Sequence, residues 1–155
     1  MEIKWLKPGY DIEPGLEEGS AEITFYPGIP MDIIFSNQLP QHPQDAEERD
    51  WLINASSEIV KEFEENILTR RGLFYNLYPS SLKINCFSIF HFMVRKNKLE
   101  LFVYSRSMNM KNMGYDLNTV DKVYNNVLEK LKQIKDVDLG LITFRIASLH
   151  FYKNT

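Results

Sequence analysis

Residues 82–105 read LKINCFSIFHFMVRKNKLELFVYS, and the sheet is read outward from them. Two runs rich in Phe, Ile, Val and Tyr, residues 82–95 and 99–105, flank the polar triplet Lys96-Asn97-Lys98. Aromatic and β-branched side chains suit a pleated, half-buried surface, and a short polar break between two such runs signals a hairpin. The pattern predicts two adjacent antiparallel strands. Upstream, residues 73–78 read as a short aromatic strand closed by a turn at Pro79-Ser80-Ser81. Downstream, residues 139–147 read as a further apolar strand.

Helical periodicity brackets these strands. In residues 45–69, Trp51, Leu52, Ile59, Phe63 and Ile67 recur at helical spacings with acids on the other face, which predicts an amphipathic helix. Asp45 is read as its N-cap, with Glu48 closing a capping box. Arg70-Arg71-Gly72 ends it, cations suiting the negative end of the dipole. Residues 119–134 carry Val120, Val123, Tyr124, Val127, Leu128 and Leu131 at the same period, after a polar, Met-bearing loop over 106–118. Six of the seven prolines fall within residues 1–45, so no long helix is expected there. Residues 21–26 and 31–35 are the strand candidates of that part, the rest loop, with 36–44 the most exposed. This order predicts an α+β fold, helices layered on a mainly antiparallel or mixed sheet. It forms one compact domain over 1–155, a Pro/Gly-rich part (1–45) preceding a helix–sheet core (46–155).

Composition narrows the function classes. With 155 residues, 18 basic and 21 acidic side chains and 44% hydrophobic residues, the chain can bury a core of its own. A formal charge of −3 without a basic stripe argues against a nucleic-acid polymer as partner. No apolar run reaches the roughly 18 residues of a membrane helix, and the start MEIKWLKPGY is no signal peptide. A single cysteine leaves no internal disulfide and no Cys-rich zinc site, so a reducing cytoplasm is the expected compartment and no metal is expected.

Few residues carry candidate chemistry. Cys86 reads either as a small buried hydrophobe or as a thiolate nucleophile, which requires a nearby positive charge. Arg70-Arg71, and Arg106 followed by Ser107, pair guanidinium forks with a hydroxyl and fit a discrete phosphomonoester. Each also reads as a surface cation. His150 and Tyr152, two apart on a strand, share a face and can donate and accept toward a sugar hydroxyl, or cap an edge strand. Met108, Met110 and Met113 lack a neighbouring His or Cys and read as packing, and His42 as a solvated loop residue.

Taken in order, these segments resemble the thymidylate synthase and pyrimidine hydroxymethylase family. Asn85-Cys86-Phe87-Ser88-Ile89-Phe90-His91-Phe92 lies in the frame of the family's Pro-Cys-His-x-x-x-Gln-Phe. Tyr104-Ser105-Arg106-Ser107-Met108-Asn109 is similar to Tyr-Gln-Arg-Ser-x-Asp, and Gly114-Tyr115-Asp116-Leu117-Asn118 to Gly-x-Pro-Phe-Asn with one extra residue ahead of it. His150-Phe151-Tyr152 resembles His-Ile-Tyr, and Arg70-Arg71 the paired arginines after a helix. Glu2 and Trp5 echo Glu-x-x-Trp, whose Glu is a proton-handling catalyst.

The resemblance implies a sheet-mediated homodimer that binds a pyrimidine deoxynucleotide monophosphate. In it Cys86 matches the thiolate that adds to C6 of the base, leaving C5 nucleophilic toward a one-carbon unit from 5,10-methylenetetrahydrofolate, and Glu2 the catalytic acid. Arg106 and Ser107 match the 5′-phosphate ligands, Arg70 and Arg71 those reaching the partner's phosphate, Asn118 the base reader that favours uracil, and His150 and Tyr152 the ligands of the 3′-hydroxyl. The activity implied is a methyl- or hydroxymethyltransferase of the thymidylate synthase type acting on dUMP. The chain departs from the pattern at Phe87, His91, Asn109, Asp116-Leu117 and Ser148. It also stops three residues after Tyr152. That stop is read as loss of the folate-closing segment, and the short length as phage-like. The alternative is a catalytically reduced nucleotide-binding or regulatory protein that has lost the folate site.

Overall fold

The computed structural model describes residues 1–13, 15–28, 44–79 and 85–152. The expected strand at 31–35, His42, and the tip of the turn at Ser80-Ser81 lie outside them.

Six strands form one sheet: β1 (Glu2–Glu13), β2 (Leu16–Phe25), β3 (Leu73–Tyr75), β4 (Phe87–Arg95), β5 (Lys98–Asn109) and β6 (Asp138–Tyr152), in the order β1-β2-β6-β5-β4-β3. The neighbours are antiparallel except β5 and β6, which run parallel. Parallel strands need a crossover, and here α3 (Met113–Lys132) supplies it. Helices α1 (Gln44–Glu58) and α2 (Val60–Glu65) complete the layer. The fold is therefore mixed, helices against a mixed sheet.

The hairpin read at Lys96-Asn97-Lys98 forms. Lys96 and Asn97 have φ of 53° and 62°, the two left-handed residues that a type I′ turn requires to match strand twist. Burial alternates along β2, β4, β5 and β6, so one face meets the helices and the other is uncovered among the described residues. Ile23, Phe90, Phe92, Leu101, Val103, Ile142 and Phe144 are buried on the helix-facing side, with Leu52, Phe63, Leu117, Val120, Val127 and Leu131 from the helices. Each such side chain contributes about 1.5–3 kcal/mol. Phe102 and Tyr104, of opposite parity on β5, stay 42% and 43% exposed.

Tyr124 ties α3 to the sheet. Its buried hydroxyl donates to the Leu99 carbonyl (2.7 Å) and accepts from the Gly140 amide (3.0 Å), beside the point where the β5–β6 register slips. Position 140 must be glycine, because a Cβ there would collide with the Leu99 carbonyl.

Several expectations are corrected. Residues 2–13 form a long strand rather than a loop. Pro8 is tolerated because β1 is an edge strand whose register skips over Pro8-Gly9, so no ladder bond is lost. The helix expected over 45–69 is two, broken at Ile59. Ser56 and Ser57 turn their hydroxyls back to the Ile53 carbonyl (2.7 and 3.3 Å), and Asn126 of α3 reaches the same carbonyl at 3.1 Å, in competition with the helical ladder. Residues 106–109 belong to β5 and residues 113–118 to α3, so the expected 106–118 loop shrinks to a 3-10 turn, Met110–Asn112. Asn109 caps that turn by accepting from the Lys111 amide at 3.0 Å.

Candidate functional site

Cys86 sits just ahead of β4 and is half-buried. Its carbonyl accepts from the Arg106 amide at 2.8 Å, and Arg106 Nη2 lies 3.6 Å from its Sγ. The preceding residue anchors the segment from the other side. Buried Asn85 donates through Nδ2 to the carbonyls of Asn76 (3.1 Å) and Tyr78 (2.9 Å), tying the approach to Cys86 onto the strand exit after β3.

A chain of contacts leads from there to the helix layer. Asn76 Nδ2 donates to Glu48 Oε1 at 2.8 Å, so Glu48 faces the sheet instead of closing a capping box on Asp45. Arg49, one residue on, donates from Nε to Thr119 Oγ1 (3.0 Å) and stacks over the Tyr115 ring at 4.2 Å, joining the N-terminal halves of α1 and α3. Asp116 lies in the same first turn of α3.

The charges act on one another. Burial pushes the Cys86 thiol up, Arg106 pulls it down, and the carboxyls of Asp116, Glu48 and Asp45 push it up further, leaving it above the ordinary thiol value. A positive charge does stand beside Cys86, yet desolvation and three carboxyls outweigh that one guanidinium. Asp116 is itself pushed up to about 8, by burial first and then by Asp45 and Glu48, against Arg49. Glu48 is raised chiefly by burial, against its bond from Asn76.

On the sheet, Ser107 is opposite Ser148 and Asn109 opposite His150 in the parallel β5–β6 ladder. Ser107 Oγ lies 3.5 Å from His150 Nδ1, and the His150 and Tyr152 rings meet edge to face at 5.5 Å. Arg106 is one residue from Ser107, so Cys86, Arg106, Ser107 and His150 follow one another across β4, β5 and β6 at one end of the sheet. Tyr152 continues this line along β6.

Other sequence candidates lie elsewhere. Arg70 and Arg71 are exposed ahead of β3; the Arg70 carbonyl accepts from His91 Nε2 at 2.9 Å, five positions along β4 from Cys86 or about 17 Å at strand rise. Asn118 is half-buried on α3, two residues beyond Asp116, and it is Asp116 whose charge reaches Cys86. Glu2 begins the edge strand β1, four strands from β4 and about 19 Å away at 4.8 Å per strand. The structure does not bring Glu2 to the thiol.

Glu48 and Asp116 are what the sequence reading missed. The signal for Glu48 was present, because Glu48-Arg49-Asp50-Trp51 repeats the Glu-x-x-Trp spacing found at Glu2 and Trp5. It was absorbed into a helix-capping pattern. Among the described residues no group of three or more His, Cys, Asp or Glu is arranged to hold a metal, and no helix is long and apolar enough to cross a membrane.

A mixed sheet whose single parallel pair among the described residues is bridged by a helix is a thymidylate synthase-like fold. Among solved structures the chain is similar to the crystal structure of thymidylate synthase from T4 phage, with a TM-score of 0.53 and 20% identity. That match covers 63% of this chain and 34% of the other, and at this identity the likeness is one of fold. No family model matches the chain, and no curated protein does.

Proposed function

We propose that this chain binds a pyrimidine deoxynucleotide monophosphate at the Cys86–Arg106 end of its sheet. The observation that carries the reading is the 3.6 Å approach of the Arg106 guanidinium to the only thiol of the chain, on a thymidylate synthase-like sheet. Arg106 and Ser107 receive the 5′-phosphate, a charge-assisted fork beside a hydroxyl. His150 and Tyr152 meet the deoxyribose 3′-hydroxyl. Cys86, deprotonated, adds to C6 of the base, which makes C5 nucleophilic toward a one-carbon unit.

The proton-handling role falls to Glu48 in place of Glu2, since Glu48 is one of the three carboxyls that act on the thiol and stands at the Glu-x-x-Trp spacing with Trp51. Asp116, beside it, faces the base edge together with or instead of Asn118. Arg70 and Arg71 reach the phosphate of a partner subunit, in a homodimer formed through the open sheet face that carries Phe102 and Tyr104.

The residues beside Cys86 do not fit 5,10-methylenetetrahydrofolate as the one-carbon donor. The charged groups on the helix side of Cys86 are Asp45, Glu48 and Asp116, with Arg49 already held by Thr119 and Tyr115. That acidic set does not suit the carboxylate tail of a folate. The raised thiol favours, as second reading, a nucleotide-binding protein with reduced catalysis.

Titration calorimetry with dUMP, alone and with the folate, tests both. Binding of dUMP alone, with no tritium released from 5-tritiated dUMP when the folate is added, supports the second reading. Release that Cys86→Ser abolishes supports full one-carbon transfer. Absence of dUMP and dCMP binding at millimolar concentration refutes the proposal.

A further inference from the structure

We infer that Glu18 is a positioning residue that, through the Ser148 hydroxyl, holds His150 in the tautomer protonated on Nδ1 and so makes Nε2 a hydrogen-bond acceptor. β2 places Glu18 opposite His150 in the antiparallel ladder with β6. Ser148 Oγ donates to Glu18 Oε1. A hydroxyl has one proton, and with that proton given to the carboxylate, Ser148 Oγ presents only lone pairs to His150 Nδ1, 3.5 Å away. The Ser148 carbonyl oxygen, 3.4 Å from the same nitrogen, is likewise an acceptor only. Ser107 Oγ, at 3.5 Å, is the one neighbour of Nδ1 among the described residues able to act either way.

Two obligatory acceptors at Nδ1 call for an N–H there, and a neutral imidazole carries one N–H, so Nε2 is bare. His91 shows the opposite case on the same sheet. Its Nε2 lies 2.9 Å from the Arg70 carbonyl oxygen, which fixes the proton on Nε2. The use of the bare Nε2 rests on the nucleotide reading above: it accepts from the O–H of the sugar, whereas the other tautomer would force the hydroxyl to accept. The tautomer itself does not depend on that reading.

Long-range proton–nitrogen NMR at a pH where imidazole is neutral reads all three histidines in one spectrum, with His150→Gln and His91→Gln assigning the two signals of interest. Wild type should show the Nδ1–H pattern for His150 and the Nε2–H pattern for His91. Glu18→Ala and Ser148→Ala should shift His150 toward Nε2–H and leave His91 unchanged, which also reports an intact sheet. Glu18→Gln should keep the wild-type pattern, because its amide oxygen still accepts the Ser148 proton. An Nε2–H pattern for His150 in wild type, or no change in Glu18→Ala, overturns the inference.

A ligand arm separates this from the nucleotide reading. Glu18→Ala should weaken dUMP by about 3- to 10-fold, the span of one hydrogen bond, and leave 2′,3′-dideoxyuridine monophosphate unchanged. Equal losses for the two ligands would refute the positioning role. If wild type binds neither, the nucleotide reading falls while the tautomer is still judged by the spectrum.

Discussion

Arg106 meets Cys86 twice, through its amide to the Cys86 carbonyl at 2.8 Å and through its guanidinium to Sγ at 3.6 Å. The backbone bond fixes where the side chain starts, so the cation is positioned by the sheet and not by the thiol it approaches. Yet burial and three carboxyls keep the thiol above its ordinary value. Alkylation by iodoacetamide should therefore be slow at pH 7 and rise with a midpoint above the usual thiol range. Arg106→Ala should move that midpoint further up, and Asp116→Asn down. A wild-type midpoint below about pH 8, under the free-thiol value, would contradict this balance.

Arg106→Ala should also weaken phosphate-bearing ligands. Losing one partner of a charge-assisted contact costs roughly 2–4 kcal/mol, which corresponds to about 30- to 800-fold in Kd. The comparison that isolates the phosphate is dUMP against deoxyuridine, the latter unaffected by the substitution. A loss of less than about 0.3 kcal/mol for dUMP, the scale of a solvent-exposed pair, would show that Arg106 does not hold the phosphate.

The hairpin at Lys96-Asn97 and the apolar face of α3 were legible because each is local: the turn needs two left-handed residues, the helix a stripe of period 3.6. The parallel pairing of β5 with β6 was not, since nothing within either strand specifies a neighbour 40 residues away. β1 was misread because Pro8 and Gly9 mark a loop only where every amide must pair, and an edge strand is exempt. Cys86, Arg106, Ser107 and His150 could be singled out as chemistry, and their order across three strands emerges only once the register exists. Glu48 was hidden by a sufficient local explanation as a capping acid, and Asp116 by a stretch that reads as loop until α3 is seen to begin at Met113.

Asp116 makes stability fall as pH rises. Its carboxyl holds a proton up to about pH 8 in the folded chain, whereas in the unfolded chain it ionises near 3.8. Between those values the folded state binds more protons, so its contribution is fully present below pH 4 and lost as pH climbs toward 8. Asp116→Asn removes the group, so the variant should be more stable than wild type at pH 8 by about 2 kcal/mol, a fraction of the full shift because the residue is half-buried. Melting should show about 4–8 °C in Tm at pH 8 and little difference at pH 4. Equal Tm differences at both values would mean that the carboxyl binds its proton equally in the folded and unfolded chain.

The open sheet face should be where two copies meet. Phe102 and Tyr104 stand exposed from β5 on the face opposite the helices. The neighbouring Arg145–Glu22 pair at 3.3 Å adds little in solvent. Phe102→Glu places a charge in the middle of that face and should give a monomer by sedimentation velocity where wild type gives a dimer. A wild-type monomer at tens of micromolar, or a dimer that persists in the variant, would remove the face from consideration.

Tyr124→Phe tests the joint between α3 and the parallel pair. The substitution keeps the ring in the core and deletes the hydroxyl that accepts from the Gly140 amide and donates to the Leu99 carbonyl. Both backbone groups sit beside the register slip, and the substitution takes the Tyr124 acceptor away from the buried Gly140 amide. Stability should fall by about 1–3 kcal/mol, the cost of a stranded polar group rather than of lost packing. Urea unfolding should then show a lower midpoint with an unchanged m-value, since the surface exposed on unfolding is the same. A midpoint equal to wild type would mean that the slip in β5–β6 is closed by the strands themselves and that the helix only lies on top of it.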